Sequence, residues 1–233
     1  MLEVDGVTVR FGGVVAVDGA SIEARSGEIT GLIGPNGAGK TTLFNVITGV
    51  QPAAGGTIRL DGTDITKLAT HRRAKMGMSR TFQRLELFWT LTVADNVRVA
   101  AELARHGDPT ALTEELLDRV GISHLAAEPS GSLPTGSARL VEVARALAST
   151  PRVLLLDEPA SGLNESETIA LGTLLRQLVA DGLAVVLVEH DMSLVMDICD
   201  HVSVLDLGRI IASGPPAEVR TQPAVIEAYL GVA

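Results

Sequence analysis

Gly34-Pro35-Asn36-Gly37-Ala38-Gly39-Lys40-Thr41 fits the phosphate-cradling pattern G-x-x-x-x-G-K-[ST] without a mismatch. Glycines at these spacings let the backbone curl until several N–H groups point at one anion. Lys40 supplies a point charge for the β- and γ-phosphates of a nucleotide, and Thr41 a hydroxyl for Mg²⁺. The apolar run of residues 29–33 before the loop has the composition of a buried strand. Thr42 to Thr48 after it is expected to be a helix, whose N-terminus adds its dipole to the anion site. This strand–loop–helix order separates the motif from an ordinary Gly-rich turn. So does the scarcity of lysine, since the chain holds only Lys40, Lys67 and Lys75.

The remaining composition bounds the class. A length of 233 residues suits one domain carrying a smaller lobe. Hydrophobic residues make up 46% but aromatics only 3%, so aliphatic side chains must build the core. A net charge of −9 and a pI near 5.0 argue against a nucleic-acid-binding surface. Cys199 is the sole cysteine, which rules out an intrachain disulfide and suits a reducing compartment. The start Met1-Leu2-Glu3-Val4-Asp5 has neither a basic segment nor an apolar stretch, so no secretory signal is expected. No apolar run approaches the ~18 residues of a membrane span. The mean hydropathy of +0.30 is high; buried strands account for it most simply, and a surface that docks on a membrane protein is the alternative.

Residues 2–11 and 14–24 alternate apolar and polar like half-buried antiparallel strands, with Gly12-Gly13 as their turn. Further strands are expected at 57–60, before Asp61-Gly62, and at 76–82, ending near Gln83. From Val93 to Ser149 the period becomes helical: Val93, Val97, Ala100, Ala101 and Ala104, then Leu112, Leu116, Leu117 and Val120. Residues 128–132 form a loop, and a helix is expected over 138–148. This block, about 93–149, is an inserted helical lobe within a single domain of residues 1–233. Strands at 153–156, 184–188 and 202–205 then alternate with helices at 165–180 and 193–198. The fold class is α/β, with a mostly parallel sheet, an N-terminal antiparallel part and inserted helices.

Val153-Leu154-Leu155-Leu156 runs into Asp157-Glu158. In phosphate-loop proteins such a strand lies beside the loop, where Asp157 reaches the Mg²⁺ shell and Glu158 polarises an attacking water. His190 follows the strand at 184–188, at the strand end where open α/β sheets place ligands. Gln83 offers a neutral amide able to touch both Mg²⁺ and water. Taken singly, each has a plainer reading: acidic residues at a solvent-exposed strand end, a structural histidine, a surface glutamine.

Together these pieces resemble, over essentially the whole chain, the ATPase subunit of an ATP-binding-cassette (ABC) transporter. The resemblance implies ATP and Mg²⁺ as cofactors. It places Phe11 at the aromatic position that stacks on adenine, Gly34–Thr42 as Walker A, Gln83 as the Q-loop, residues 153–158 as Walker B, Ser161-Gly162-Leu163-Asn164 as the D-loop and His190 as the switch histidine. Residues Gly34, Pro35, Asn36, Gly37, Ala38, Gly39, Lys40, Thr41 and Thr42 are then the phosphate-binding set; Thr41, Gln83 and Asp157 serve the metal; Glu158, His190, Lys40 and Gln83 serve hydrolysis. Arg80-Thr81-Phe82-Gln83 through Leu87-Phe88, with Glu189-His190-Asp191-Met192 and the ending Val225–Gly231, look like the branched-chain amino acid importer branch, whose pattern relatives moving urea or amides share. Lipid- and lipopolysaccharide-exporting ATPases are related, so export is one alternative, and a soluble ATP-dependent switch is another. The implied partners are integral-membrane permease subunits and a second cassette. A heterodimer is favoured and a homodimer is the alternative, and the location is cytoplasmic, on the inner membrane face.

The family signature L-S-G-G-Q falls on Leu133-Pro134-Thr135-Gly136-Ser137, where only Leu133 and Gly136 match. In the family this motif binds the γ-phosphate held by the partner. Pro134 removes a hydroxyl and a backbone N–H. Gly136 and the following helix are expected to retain a weaker phosphate contact.

Overall fold

A computed structural model describes residues 1–104 and 107–230. Strands β1 (Leu2–Phe11) and β2 (Val14–Ala24) form the expected hairpin. The alternation of β1 buries Leu2, Val4, Val7 and Val9 on one face, and the register steps near Gly6, whose φ is +58°. Strand β3 (Ile29–Ile33) is buried throughout and leads through the phosphate loop into α1 (Lys40–Ile47). There follow β4 (Gly55–Leu60), β5 (Thr63–Asp64), α2 (Thr70–Lys75) and β6 (Met78–Arg80). Helices α3 (Val93–Ala104), α4 (Pro109–Val120) and α5 (Thr135–Ala148) come next, then β7 (Val153–Asp157), α6 (Glu165–Ala180), β8 (Ala184–Val188) and α7 (Met192–Ile198). The described chain closes with β9 (His201–Asp206), β10 (Arg209–Gly214), α8 (Pro216–Val219) and α9 (Pro223–Leu230).

Two sheets result. One is antiparallel, in the order β2-β1-β4-β5; the other runs β10-β9-β3-β8-β7-β6. The second is parallel except for β10, which pairs antiparallel with β9. Its central strands β3, β7 and β8 are buried at every residue, as strands covered on both faces must be. Because β3 lies beside β8 and β8 beside β7, the C-terminal ends of all three converge. Those ends carry the phosphate loop, His190 and Glu158.

The helices α3, α4 and α5 pack on one another and share a core with the parallel sheet through residues such as Val97, Leu117 and Val143. Local chemistry sets their limits. Asp108 caps α4 with Pro109 in its first turn, and Gly121 ends it at φ +81°. A reciprocal Asn164–Glu167 capping box opens α6.

Several expected limits differ. Helix α1 starts at Lys40 rather than Thr42. Strand β6 spans three residues rather than the seven of 76–82, because Gly77 turns at φ +93° before it and the carbonyls of Phe82 and Gln83 are taken by Arg139 instead of a neighbouring strand. Helix α5 starts at Thr135 rather than Ala138. Pro134 stands at its N-cap, where a missing N–H costs nothing, and Thr135-Gly136-Ser137 form its first turn. The elements β5, β10, α2, α8 and α9 were not anticipated; all but β10 are short or lack strong periodicity.

Candidate nucleotide site

The phosphate loop is shaped by glycines that no other residue replaces. Gly34 has φ +148° and Gly39 φ +109°. A Cβ on Gly34 would lie 1.9 Å from the Leu205 carbonyl oxygen, and one on Gly39 2.6 Å from that of Ala16. The loop is thus pressed against β9 and β2, and the Gly208 amide donates to Ala38 O at 2.9 Å. The ammonium of Lys40 is buried and donates to Gly34 O (2.6 Å) and Pro35 O (2.9 Å). Three protons are available on an ammonium, so one remains for a phosphate oxygen. Burial lowers the Lys40 pKa, while Glu158 and Asp157 oppose that shift. Thr41 and Thr42 lie in the first turn of α1, and the Tyr229 phenol of α9 sits against the Gly34 amide.

A cavity of about 240 Å³ opens at this loop, lined by residues 36–42 together with Gln83, Glu158 and His190. Glu158 Oε1 is the meeting point: His190 Nε2 lies 2.8 Å from it and Gln83 Nε2 3.3 Å. Glu158 adopts φ +53°, a left-handed conformation that costs a non-glycine residue about 1–3 kcal/mol. Its amide is held by Val188 O at 2.9 Å.

Asp157 is fully buried at the end of β7, its amide held by Thr81 Oγ1 (3.1 Å). Burial raises its pKa, with Arg80 pulling the other way. Oδ2 pairs with Arg80 at 3.2 Å, whereas Oδ1 has no hydrogen-bond partner among the described residues. An orphaned buried carboxylate oxygen at this place fits the coordination shell of Mg²⁺, which binds through one or two carboxylates with substrate phosphates and waters rather than in an all-protein cage. The described residues hold no cluster of three or more His, Cys, Asp or Glu ligands.

Arg80, which no sequence motif assigns to the site, is part of it. Its guanidinium joins Asp157 to Asn45 Oδ1 of α1 at 2.6 Å and lies 4.6 Å over the Phe82 ring. The available signal was a cation in a short strand three residues before Gln83. A second unassigned group is a charged row on α5. Arg139 donates to the carbonyls of Phe82 and Gln83, Glu142 accepts the Glu86 amide at 2.6 Å, and Arg145 donates to Glu86 O and covers the Phe88 ring at 5.0 Å. Arg139 and Glu142 also form a buried ion pair at 3.1 Å.

Two expected residues stand apart from the cavity lining. Phe11 is half-exposed at the end of β1, on the hairpin whose second strand passes the loop at Ala16. Gly136 is buried beneath the turn of residues 161–163: a Cβ there would lie 2.7 Å from Gly162 O. Phe88 and Trp89 are exposed on the surface after Gln83, while Leu87 is buried and Leu91 partly so.

Comparison with known proteins agrees with this architecture. Residues 17–161 match the ABC transporter family, and residues 209–233 match the family described as branched-chain amino acid ATP-binding cassette transporter. The chain is 41% identical over 253 aligned positions to the high-affinity branched-chain amino acid transport ATP-binding protein BraF of Pseudomonas aeruginosa, covering 100% of this chain and 98% of that protein. It is 39% identical over 251 positions to the similarly described LivG of Escherichia coli K12, with the same coverage. Among solved structures, a nucleotide-free ATP-binding cassette from an ABC transporter superposes with a TM-score of 0.90 at 30% identity, covering 100% of this chain and 99% of the other. A cassette in its ADP conformation gives 0.88 at 31%, with the same coverage. With these matches spanning its whole length, the chain belongs to the nucleotide-binding ATPase subunits of ABC transporters.

Proposed function

We propose that this ATPase drives import of branched-chain amino acids, or of related small polar solutes such as amides and urea, through integral-membrane permease subunits from the cytoplasmic face of the membrane. The observation that carries hydrolysis is the convergence of His190 and Gln83 on Glu158 Oε1 at the mouth of the phosphate loop. The solute class rests on the names of the full-length relatives. None of the described helices is long and apolar enough to cross a membrane, so passage of the solute belongs to the permease.

In this reading the loop amides and Lys40 hold the β- and γ-phosphates, and Phe11 stacks on the adenine. Thr41, Gln83 and Asp157 hold Mg²⁺ with its waters; when bound it neutralises charge on the phosphates. Glu158 takes the proton of the attacking water, and His190 keeps that carboxylate and the water in line. The strained Glu158 backbone aims the base. Residues 93–149 act as a helical subdomain of one nucleotide-binding domain, and the exposed Phe88 and Trp89 form the permease contact.

A heterodimer with a second cassette is the assembly proposed. Pro134 at the N-cap of α5 supplies neither hydroxyl nor N–H, so this chain completes its partner's site weakly while its own loop is completed by the partner. Restoring Ser at 134 and Gln at 137 in the chain assayed alone is expected to raise turnover about 10- to 150-fold, the value of a charge-assisted hydrogen bond felt in the transition state. Fast turnover without gain on restoration removes the asymmetry. For the transport reading, the chain is copurified with its permease and placed in vesicles. Branched-chain amino acid uptake driven by ATP is expected, and ATP-dependent lipid extraction would establish export in its place.

A further inference from the structure

The end of β8 carries two side chains with different surroundings. His190 is half-exposed at the cavity, while Glu189 is only 5% exposed. Glu189 is a buried carboxylate whose partners are backbone amides: Oε1 accepts Ala160 N–H at 2.7 Å and Oε2 accepts His190 N–H at 3.1 Å. The Asp191 amide adds to the same group. The two amides it joins belong to the two segments that meet at the catalytic pair. Ala160 lies in the turn after β7, two residues beyond Glu158, and His190 bears the imidazole that meets Glu158 Oε1.

Glu158 needs such a tether. Its φ of +53° lies in a region that non-glycine residues keep only when their surroundings over-determine it. One bond before the turn (Glu158 N–H to Val188 O) and one after it (Ala160 N–H to Glu189) both anchor to the end of β8. The kink that turns the Glu158 side chain toward the imidazole is therefore clamped from the same strand end that presents the imidazole.

We infer that Glu189 is a positioning residue for hydrolysis: its carboxylate staples the Glu158 turn to the His190 backbone and so maintains the 2.8 Å approach of Glu158 to His190. It is not among the residues that line the cavity. The inference rests on the reading of Glu158 and His190 as the hydrolytic pair.

Glu189→Gln is the sharpest variant. Both oxygens accept an N–H, so the amide substitute keeps one bond and turns its NH₂ against the other donor. Measured on the full chain in its transporter complex, kcat for ATP is expected to fall on the order of 10- to 100-fold. The KM and the binding of a fluorescent ATP analogue should stay within about twofold. Because Glu189 acts by holding Glu158 against the imidazole, Glu189→Gln should cost a smaller fold-loss in a His190→Ala background than in the parent. Glu189→Asp, which keeps both acceptors, should recover part of the rate; a thermal melt verifies that each variant is folded. Turnover of Glu189→Gln within twofold of the parent, losses that multiply in the double variant, or kcat and KM worsening together with the melting temperature would overturn the inference. Glu158→Gln run alongside separates the two failures: normal turnover there defeats the hydrolytic pair, whereas a slow Glu158→Gln beside a fast Glu189→Gln defeats only the staple.

Discussion

The phosphate loop and the segment carrying Gln83 face the same cavity but are held by opposite means. The loop is largely self-supporting. Its lysine bonds to carbonyls five and six residues back, Ala38 N–H bonds to Pro35 O, and its glycines let it press against β2 and β9. Residues 81–92 have no helix or strand of their own. Distant residues satisfy their backbone: Arg139, Glu142 and Arg145 from α5, Asn96 at both the amide and the carbonyl of Phe88, and Gly131 at Trp89 O. The loop therefore keeps its shape from local chemistry, while the Gln83 segment follows α5. The tie to α5 thus reaches from Gln83, which faces Glu158, to the exposed Phe88.

The largest effects are expected at the phosphate loop and Glu158. Lys40→Ala removes both the cation that faces the phosphates and the loop's internal tie, so ATP binding should be lost at millimolar concentration in a nucleotide-binding assay. Glu158→Gln should keep binding and lose turnover by about 10²–10⁴-fold, the scale of a removed general base; phosphate release reports it. Normal turnover would remove Glu158 from that role.

The α5 row gives the next largest effect. Arg139→Met takes away the ion-pair partner of the buried Glu142 and leaves it only the Glu86 amide and the charge of Arg145, at a cost of up to about 3–5 kcal/mol, which lowers the melting temperature by up to about 6–20 °C for a chain of this size. Arg209→Met also breaks a short ion pair, with Asp18 at 2.5 Å, but an exposed one, and should cost no more than about 1 kcal/mol. Equal melting shifts would show that the row on α5 is not what holds residues 81–92. If it is, ATP should also change the emission of Trp89 in the parent and fail to do so in Arg139→Met.

Smaller still is the response of Trp89 to the permease. It is the sole tryptophan and 47% exposed, so its emission should shift to the blue and resist acrylamide once permease is bound. An unchanged spectrum would move the contact elsewhere. The smallest effect concerns Cys199, which lies under Gly31 with its thiol pushed up to about 12 by burial. The unfolded chain releases that proton near 9, so the group's contribution to stability is whole below pH 9 and is lost as pH rises through 12. Alkylation at pH 8 should be negligible in the native protein and complete in denaturant.

Legibility followed the same division. Helix α6 is readable at residues 165–180 and β8 at 184–188, because a capping box and a continuous apolar run are local signals. The extent of β6 was misread, since the apolar residues up to Phe82 belong to a segment whose hydrogen bonds go to a helix some 57 residues away. Helix α5 begins three residues before the expected 138, with Pro134 tolerated at its N-cap. Arg80 and Glu189 escaped notice as parts of the site because a cation or a carboxylate near a motif has no distinctive spacing.

By itself the sequence determined that a phosphate loop lies between a buried strand and a helix, and that two carboxylates end another apolar strand. Glycine conformation, strand burial and helix capping are set within a few residues. Only the tertiary structure decided which strands are neighbours, and hence that Glu158, His190 and Gln83 share one carboxylate oxygen, that Asp157 is divided between Arg80 and an unpartnered oxygen, and that Glu189 bonds to both segments. Those outcomes depend on contacts between residues 29 to 77 positions apart, and no local pattern encodes them.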